Sequence, residues 1–315
     1  MVSIRTDHFS LEQICVSGQC FRMSRLEQSR GRSEEPGADA GSSLPVPVRE
    51  GAASSMNGEA YQVIAGQRYL KLSQQGEECM FHCSQEEFEY FWKVYFDLEN
   101  DYGAYISQIN PRDAYLLAAA DLGQGIRILR QDLWEMIVSF LISQQNNILR
   151  IRRCIENICR EYGEKMRALE GEEYFGFPKP EALAGLDEDA LMECNLGYRS
   201  KYVVRAARSV ASGELNLNKV REMPYRKARE ELLKLFGVGE KVADCICLFA
   251  LHHLDAFPVD THISQALAAQ YKRGFPNKRY RGFRGVMQQY IFYYELHSDK
   301  RYHGKYSWPP QMCGL

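Results

Sequence analysis

Residues 225–271 read YRKAREELLKLFGVGEKVADCICLFALHHLDAFPVDTHISQALAAQY. Two helical patterns, Tyr225–Phe236 and Lys241–His252, are joined by Phe236-Gly237-Val238-Gly239, a short glycine-flanked turn. Glycine accepts positive φ and lets the backbone approach a neighbour closely. The second helix starts near Glu240, where free N–H groups and the positive end of the helix dipole collect. Such a hairpin suits one phosphate of a DNA strand, gripped without reading sequence. Taken alone, the turn fits a plain packing corner between two helices better.

Lys241 shifts that balance. An ammonium in the first turn is opposed by the helix dipole, at ~0.3–1 kcal/mol where exposed. An amine whose proton is disfavoured in this way is a nucleophile. Cys245, one turn further on, shares its helix face. Beyond it comes Phe257-Pro258-Val259-Asp260-Thr261-His262, where proline imposes extended backbone and Asp260 can cap the helix Thr261–Tyr271. A solvated lysine and a simple cap explain each residue separately. They do not explain why a reactive amine, a phosphate-type hairpin and a positioned carboxylate stand together.

The flanking sequence is of two kinds. In the first hundred residues, Tyr61–Ala65 and Tyr69–Leu72 flank Gly66-Gln67-Arg68, a β-hairpin signal. Ser29–Gly58 is rich in Gly, Ser, Ala, Pro and Glu, too poor in large apolar residues to order itself, and reads as a mobile insertion. After Asp101 helical periodicity takes over. Leu133, Ile137, Phe140 and Leu141 mark one face of a buried helix, and further helices fit Ile148–Tyr162, Lys201–Ala211 and Gly285–Leu296. The fold expected is α+β, a small N-terminal antiparallel β domain over 1–104 followed by a helical body over 105–315 with the hairpin at about 225–252.

Composition narrows the function classes. The chain has 315 residues, 45% apolar and 25% charged, with a formal net charge of −2. That is ordinary for a globular protein. The charge is uneven: residues 1–100 carry 9 basic and 15 acidic side chains, so the remainder sums to +4. A basic C-terminal half keeps a polyanionic partner in play. No apolar run approaches the ~20 residues of a membrane helix, and no signal or transit pattern is evident, so a soluble, cytosol-like location is expected. The ten cysteines include no CxxC and no four-cysteine metal spacing, which favours free, buried thiols over disulfides and a metal count of none.

The string LFGVGEKVADCICLFAL…FPVDTH resembles the helix–hairpin–helix (HhH-GPD) DNA glycosylases, and within them the 8-oxoguanine DNA glycosylase/AP lyases. Ser17-Gly18-Gln19-Cys20-Phe21-Arg22, Ser139-Phe140…Asn146-Asn147-Ile148…Arg150-Ile151, Leu196-Gly197-Tyr198-Arg199 and Gln288…Phe292 fit that branch in order. Cys20 and Met23 depart from the usual Ser and Trp, and Gln145 stands where an Asn is usual.

The resemblance implies an enzyme of DNA repair. Lys241 would attack C1′ of the sugar beneath a flipped base and form a Schiff base, followed by β-elimination; Asp260 would stabilise positive charge on the sugar. Cys245 and Phe292 would sandwich the base, Gln288 would read its Watson–Crick edge, and the Gly18 carbonyl would accept the N7–H unique to the oxidised guanine. DNA contacts would come from Gln145, Asn146, Asn147, Arg150, Tyr198 as wedge, Arg199, the hairpin Gly237-Val238-Gly239, and His262. Arg150 and Arg199 would meet the estranged base, with cytosine preferred. The partner implied is damaged double-stranded DNA, met by a monomer in a bacterial nucleoid or a nucleus. No cofactor is required for catalysis, though a structural cation could sit at the hairpin. A glycosylase for another base, or a non-enzymatic helix–hairpin–helix DNA-binding module, remain the alternatives.

Overall fold

A computed structural model describes residues 1–26 and 58–298 of the chain. The insertion expected to be mobile, 29–58, therefore lies outside the described residues apart from Gly58. Five strands, β1 (Val2–Arg5), β2 (Met23–Arg25), β3 (Glu59–Ala65), β4 (Arg68–Gln75) and β5 (Glu78–Phe81), form one antiparallel sheet in the order β1-β5-β4-β3-β2. The β3–β4 hairpin turns on Gly66 and Gln67, with Ala65 opposite Arg68 and Gly66 at φ 59. Two-residue hairpin loops need that left-handed geometry, which glycine supplies without strain. Alternate residues of the two strands, among them Val63, Leu70 and Leu72, are fully buried beside Phe81 and Trp92.

The N-terminal part is less purely β than its sequence suggests. Leu11–Val16 is a helix capped by Ser10, and Gln85–Tyr95 is helical with a π turn at Phe88–Trp92. Segments of three to six residues are too short to display a 3.6-residue period. Conversely, a small antiparallel pair, Lys165–Arg167 with Glu173–Phe175, interrupts the helical body. It leads into the residues that hold the β3–β4 turn: Phe177 N–H donates to Gly66 O (2.9 Å), Gln67 Nε2 to Phe177 O (2.6 Å), and Gly66 N–H to the Glu135 carboxylate (2.9 Å).

Glu135 lies in the first turn of the Leu133–Ser143 helix, and this helix is the axis of the body. The sequence marks one buried face, but every residue from Leu133 to Ile142 is buried. A helix apolar on all sides is one surrounded by others. It packs against the helices Ile148–Tyr162, Ser200–Ala211 and Glu240–Phe249. The main core cluster runs through these helices and reaches Phe21 and Tyr102; the cluster under the sheet takes in Leu129. All nine described cysteines are free and buried. Cys20 and Met23 are packed in the core beneath the sheet, so both departures from the branch pattern are packing changes. Among the described residues, no helix is long and apolar enough to cross a membrane.

Candidate active site

The first hairpin helix spans Tyr225–Leu232 and ends four residues before Phe236. Successive tight turns (Leu235 N–H to Leu232 O, Val238 N–H to Leu235 O) carry the chain to Gly239, the N-cap of the helix Glu240–Phe249. The glycines do different jobs. Gly237 has φ +88, and a Cβ there would lie 2.6 Å from Cγ of the Tyr202 ring; Gly239 is at φ −93 with nothing within 4 Å of its Cβ position. What Gly237 approaches so closely is therefore a side chain of the protein itself. No side chain caps Gly239, so the helix presents its first amides outward.

Lys241 follows in the first turn, half-buried, with Nζ 5.5 Å from the centroid of the Phe140 ring. Phe140 in turn stacks on Phe249 at 5.6 Å. Cys245, 3% exposed, has its thiol pushed up to about 11 by burial, opposed chiefly by the charge of Lys241 and aided by Asp244 and Asp260. That thiol thus senses both expected catalytic residues. Asp260 caps the Thr261–Gln270 helix, its carboxylate accepting from Ile263 N–H at 2.8 Å. The cap reading is correct, and it fixes the carboxylate at a helix N-terminus.

Three of the residues expected to hold the base, Gly18, Gln288 and Phe292, are linked to the segment that carries Asp260. Gly18 has φ +76, and a Cβ would stand 3.2 Å from Cε1 of Phe292. Its position is set by Gln19, fully buried, whose amide donates to Ser17 Oγ and Arg127 O and accepts from Leu129 N–H. Phe292 meets the His262 ring edge-to-face at 6.4 Å. One turn earlier on the Arg284–His297 helix, buried Gln288 donates to Pro258 O at 3.1 Å and accepts from Gln289 Nε2. Gln288 is thereby tied to the loop that delivers Asp260.

A second group lines the turn 144–147. Gln145 is exposed at φ 48, a conformation that Asn tolerates better than a longer side chain. Asn146 donates to Ile142 O, while the Asn147 carboxamide caps the next helix by accepting from Arg150 N–H. Arg150 is exposed. Tyr198 is 45% exposed and Arg199 only 4%: the guanidinium lies under the Tyr198 ring at 4.5 Å and donates to Gln144 O, Gln145 O and Leu196 O. The Tyr-Arg pair is thus no ordinary exposed loop. Sequence reasoning passed over Gln144 and Tyr202 and read Phe140 as core without its contact to Lys241; all three touch these residues but carry no chemistry of their own. No group of three or more metal-ligating side chains occurs among the described residues.

Two family descriptions divide the chain: "8-oxoguanine DNA glycosylase, N-terminal domain" matches residues 1–137, and "HhH-GPD superfamily base excision DNA repair protein" matches 138–275. A solved Clostridium acetobutylicum 8-oxoguanine glycosylase/lyase, in its apo-form, is 33% identical with a TM-score of 0.78, covering 93% of this chain and 96% of its own. The same protein has been solved with duplex DNA containing cytosine opposite 8-oxoguanine (31% identity, TM-score 0.77, 96% and 98% covered). The Saccharomyces cerevisiae N-glycosylase/DNA lyase is 37% identical over 47% of this chain and 43% of its own. The probable N-glycosylase/DNA lyase of Methanothermobacter thermautotrophicus is 32% identical over 58% and 62%. The matched region thus spans less than two thirds of either curated relative. The chain belongs to the 8-oxoguanine DNA glycosylase family of the HhH-GPD superfamily.

Proposed function

We propose that this chain is a bifunctional enzyme of base-excision repair that removes 8-oxoguanine from duplex DNA and then cuts the strand at the abasic sugar. One observation carries the reading. Lys241, in the first turn of the hairpin helix, shares its surroundings with a buried neutral thiol and a helix-capping carboxylate. Gly18 packs against Phe292, and Gln288 is hydrogen-bonded to the loop that carries Asp260, which supports a base-holding role for these three residues.

Flipping the damaged base costs a few kcal/mol. The free amine of Lys241 then bonds to C1′ as the bond from C1′ to the base nitrogen breaks, and the base leaves with that electron pair and is protonated. Opening of the sugar, with the C1′–O4′ electrons passing to O4′, gives the Schiff base. Loss of a C2′ proton expels the 3′ phosphate. Asp260, held at a helix N-terminus by its cap hydrogen bond, stabilises the positive charge that grows on the sugar. The hairpin amides at Gly237–Gly239 hold a backbone phosphate, with His262 at another beside the flipped nucleotide; carbonyls of the same turn could hold a cation.

Tyr198 fills the gap in the stack. Arg150, exposed beside the 144–147 turn, donates to O2 and N3 of the estranged cytosine, whereas Arg199 acts chiefly by holding that turn. Gln145 would reach the same base less well than the usual Asn. A good contact of this kind discriminates by roughly 1–3 kcal/mol, about one to two decades in rate, and the preference for cytosine over adenine is then in the lower part of that range.

Borohydride reduction tests the reading. With wild-type protein and a duplex holding 8-oxoguanine opposite cytosine, it should trap a covalent adduct. Lys241→Gln, which keeps length and polarity, should bind that duplex yet give neither adduct nor strand cut. A folded, DNA-binding wild type that traps nothing would make the chain a binding module instead.

A further inference from the structure

We infer that Gln144 and Tyr202 are positioning residues that lock the strand-separating Tyr198 to the phosphate-gripping hairpin. This rests on the function just proposed. The contacts form a closed ring. The Gln144 carboxamide donates to Gly237 O at 3.0 Å. The Gln144 carbonyl receives the Arg199 guanidinium. That guanidinium lies 4.5 Å from the Tyr198 ring centroid. Tyr198 meets Tyr202 edge-to-face at 5.7 Å, and the Tyr202 ring lies against Gly237, where even a Cβ would collide. The circuit therefore begins and ends on the hairpin glycine. A side branch strengthens it, because Tyr202 also meets the 47% exposed Phe236 edge-to-face at 5.4 Å.

A ring of contacts differs mechanically from a chain of them. Moving the hairpin relative to the wedge must open the Gln144–Gly237 hydrogen bond on one side or the Tyr202 contacts on the other. Once the hairpin is seated on a phosphate, the tyrosine is held at a fixed distance from that phosphate along the strand. The ring also passes through the Gln144–Gln145 peptide, so the turn facing the estranged base moves with the same unit. A plain alternative exists for each member. Gln144 also lies 3.3 Å from Leu141 O and could merely finish its helix, and Tyr202 could merely fill space. Both alternatives predict a change in stability alone.

The experiment uses the full chain and a duplex with 2-aminopurine beside 8-oxoguanine, whose fluorescence rises when the wedge unstacks it. Gln144→Met keeps length but removes the donor; Tyr202→Leu removes the ring and serves if the first variant does not fold. Thermal midpoint and affinity for undamaged duplex are measured alongside. For Gln144→Met, the fluorescence-detected step and single-turnover excision should each slow by about three- to tenfold, the worth of one neutral hydrogen bond. Affinity for undamaged duplex should change less than twofold. Adding Tyr198→Ala to Gln144→Met should cost no more than Tyr198→Ala alone, since the ring acts through that tyrosine.

Wild-type fluorescence and excision in both variants would overturn the inference. So would losses that track affinity for undamaged duplex, or losses that add to those of Tyr198→Ala. The two levels separate cleanly. A wild type that unstacks the reporter but excises nothing refutes the proposed chemistry and leaves the positioning role standing; normal excision by both variants does the reverse.

Discussion

The two hairpin glycines predict opposite behaviour for the same substitution. At Gly237, φ is +88 and an added Cβ would lie 2.6–2.9 Å from three atoms of the Tyr202 ring. Left-handed backbone costs alanine about 1–2 kcal/mol, and overpacking a well-filled contact adds roughly 1–3 kcal/mol. The restricted unfolded chain returns only ~0.4–1 kcal/mol. Gly237→Ala should therefore lower stability by about 1–4.5 kcal/mol, from these terms together.

Gly239 has none of these constraints, with φ −93 and open space around its Cβ position. Alanine is a poorer N-cap by roughly 0.5–1 kcal/mol, which the unfolded-state gain largely offsets. Gly239→Ala should thus fold with near-wild-type stability in urea denaturation. If the open space is where a phosphate docks, that same methyl should weaken binding to undamaged duplex about tenfold, ~1.4 kcal/mol. The assay is urea unfolding and fluorescence-anisotropy titration of both variants in one salt, since phosphate contacts are salt-dependent. Wild-type duplex affinity in Gly239→Ala would refute the placement of the phosphate. Wild-type stability in Gly237→Ala would refute the packing argument.

Two further outcomes follow from the same geometry. Asp260→Asn should fold normally, because Asn is an equally good cap, yet lose at least about tenfold in single-turnover excision if the carboxylate charge stabilises the sugar cation; full activity would leave Asp260 only its cap. Glu135, buried against the sheet hairpin, has its carboxyl pushed up to about 7 by burial, partly offset by Arg22 and the Gly66 N–H. The folded state then holds a proton that the unfolded state has released. Stability from this group is fully present below about pH 4.5 and is lost as pH rises towards 7, by at most about 3 kcal/mol. Glu135→Gln should flatten that fall in a wild-type-minus-variant comparison of urea midpoints from pH 4.5 to 7.5, and an unchanged difference would contradict the assignment.

The parts of this chain that were legible are those where residue type and local geometry coincide. Gly66-Gln67 announced a hairpin, and Asp260 after proline announced a cap; both are local rules, and both hold in the structure. The helix Ile148–Tyr162 was readable to its ends because its buried Ile151, Cys154, Ile155, Ile158 and Cys159 keep one stripe. What the sequence hid was contact between distant segments. Nothing in Arg199 says that its donors are spent on Gln144 and Gln145, fifty-odd residues away. Gly237 does signal a close approach, but not that Tyr202 is what comes close. For that reason the buried Arg199 looked like a base reader, and Gln144 looked like nothing.

The proposed function also requires the site to discriminate between two nucleophilic side chains. Cys245 and Lys241 sit one turn apart on one helix face, and sulfur is ordinarily the better nucleophile. The thiol is 3% exposed, and burial pushes it up to about 11. At neutral pH only about one thiol in ten thousand is then ionised, and the thiolate is the reactive form. Ionising the thiol for attack would also place a buried anion within reach of Asp260, which raises the cost further. Lys241 differs in exposure and in the charge its reactive form carries: it is half-buried rather than buried, and a free amine adds no anion to the site. Under the proposed function, Cys245 is thus left as a neutral, polarisable wall for a base, and the chemistry falls to the amine. The same burial that silences the thiol makes it suitable for that wall, so in this proposal one feature of packing serves both roles.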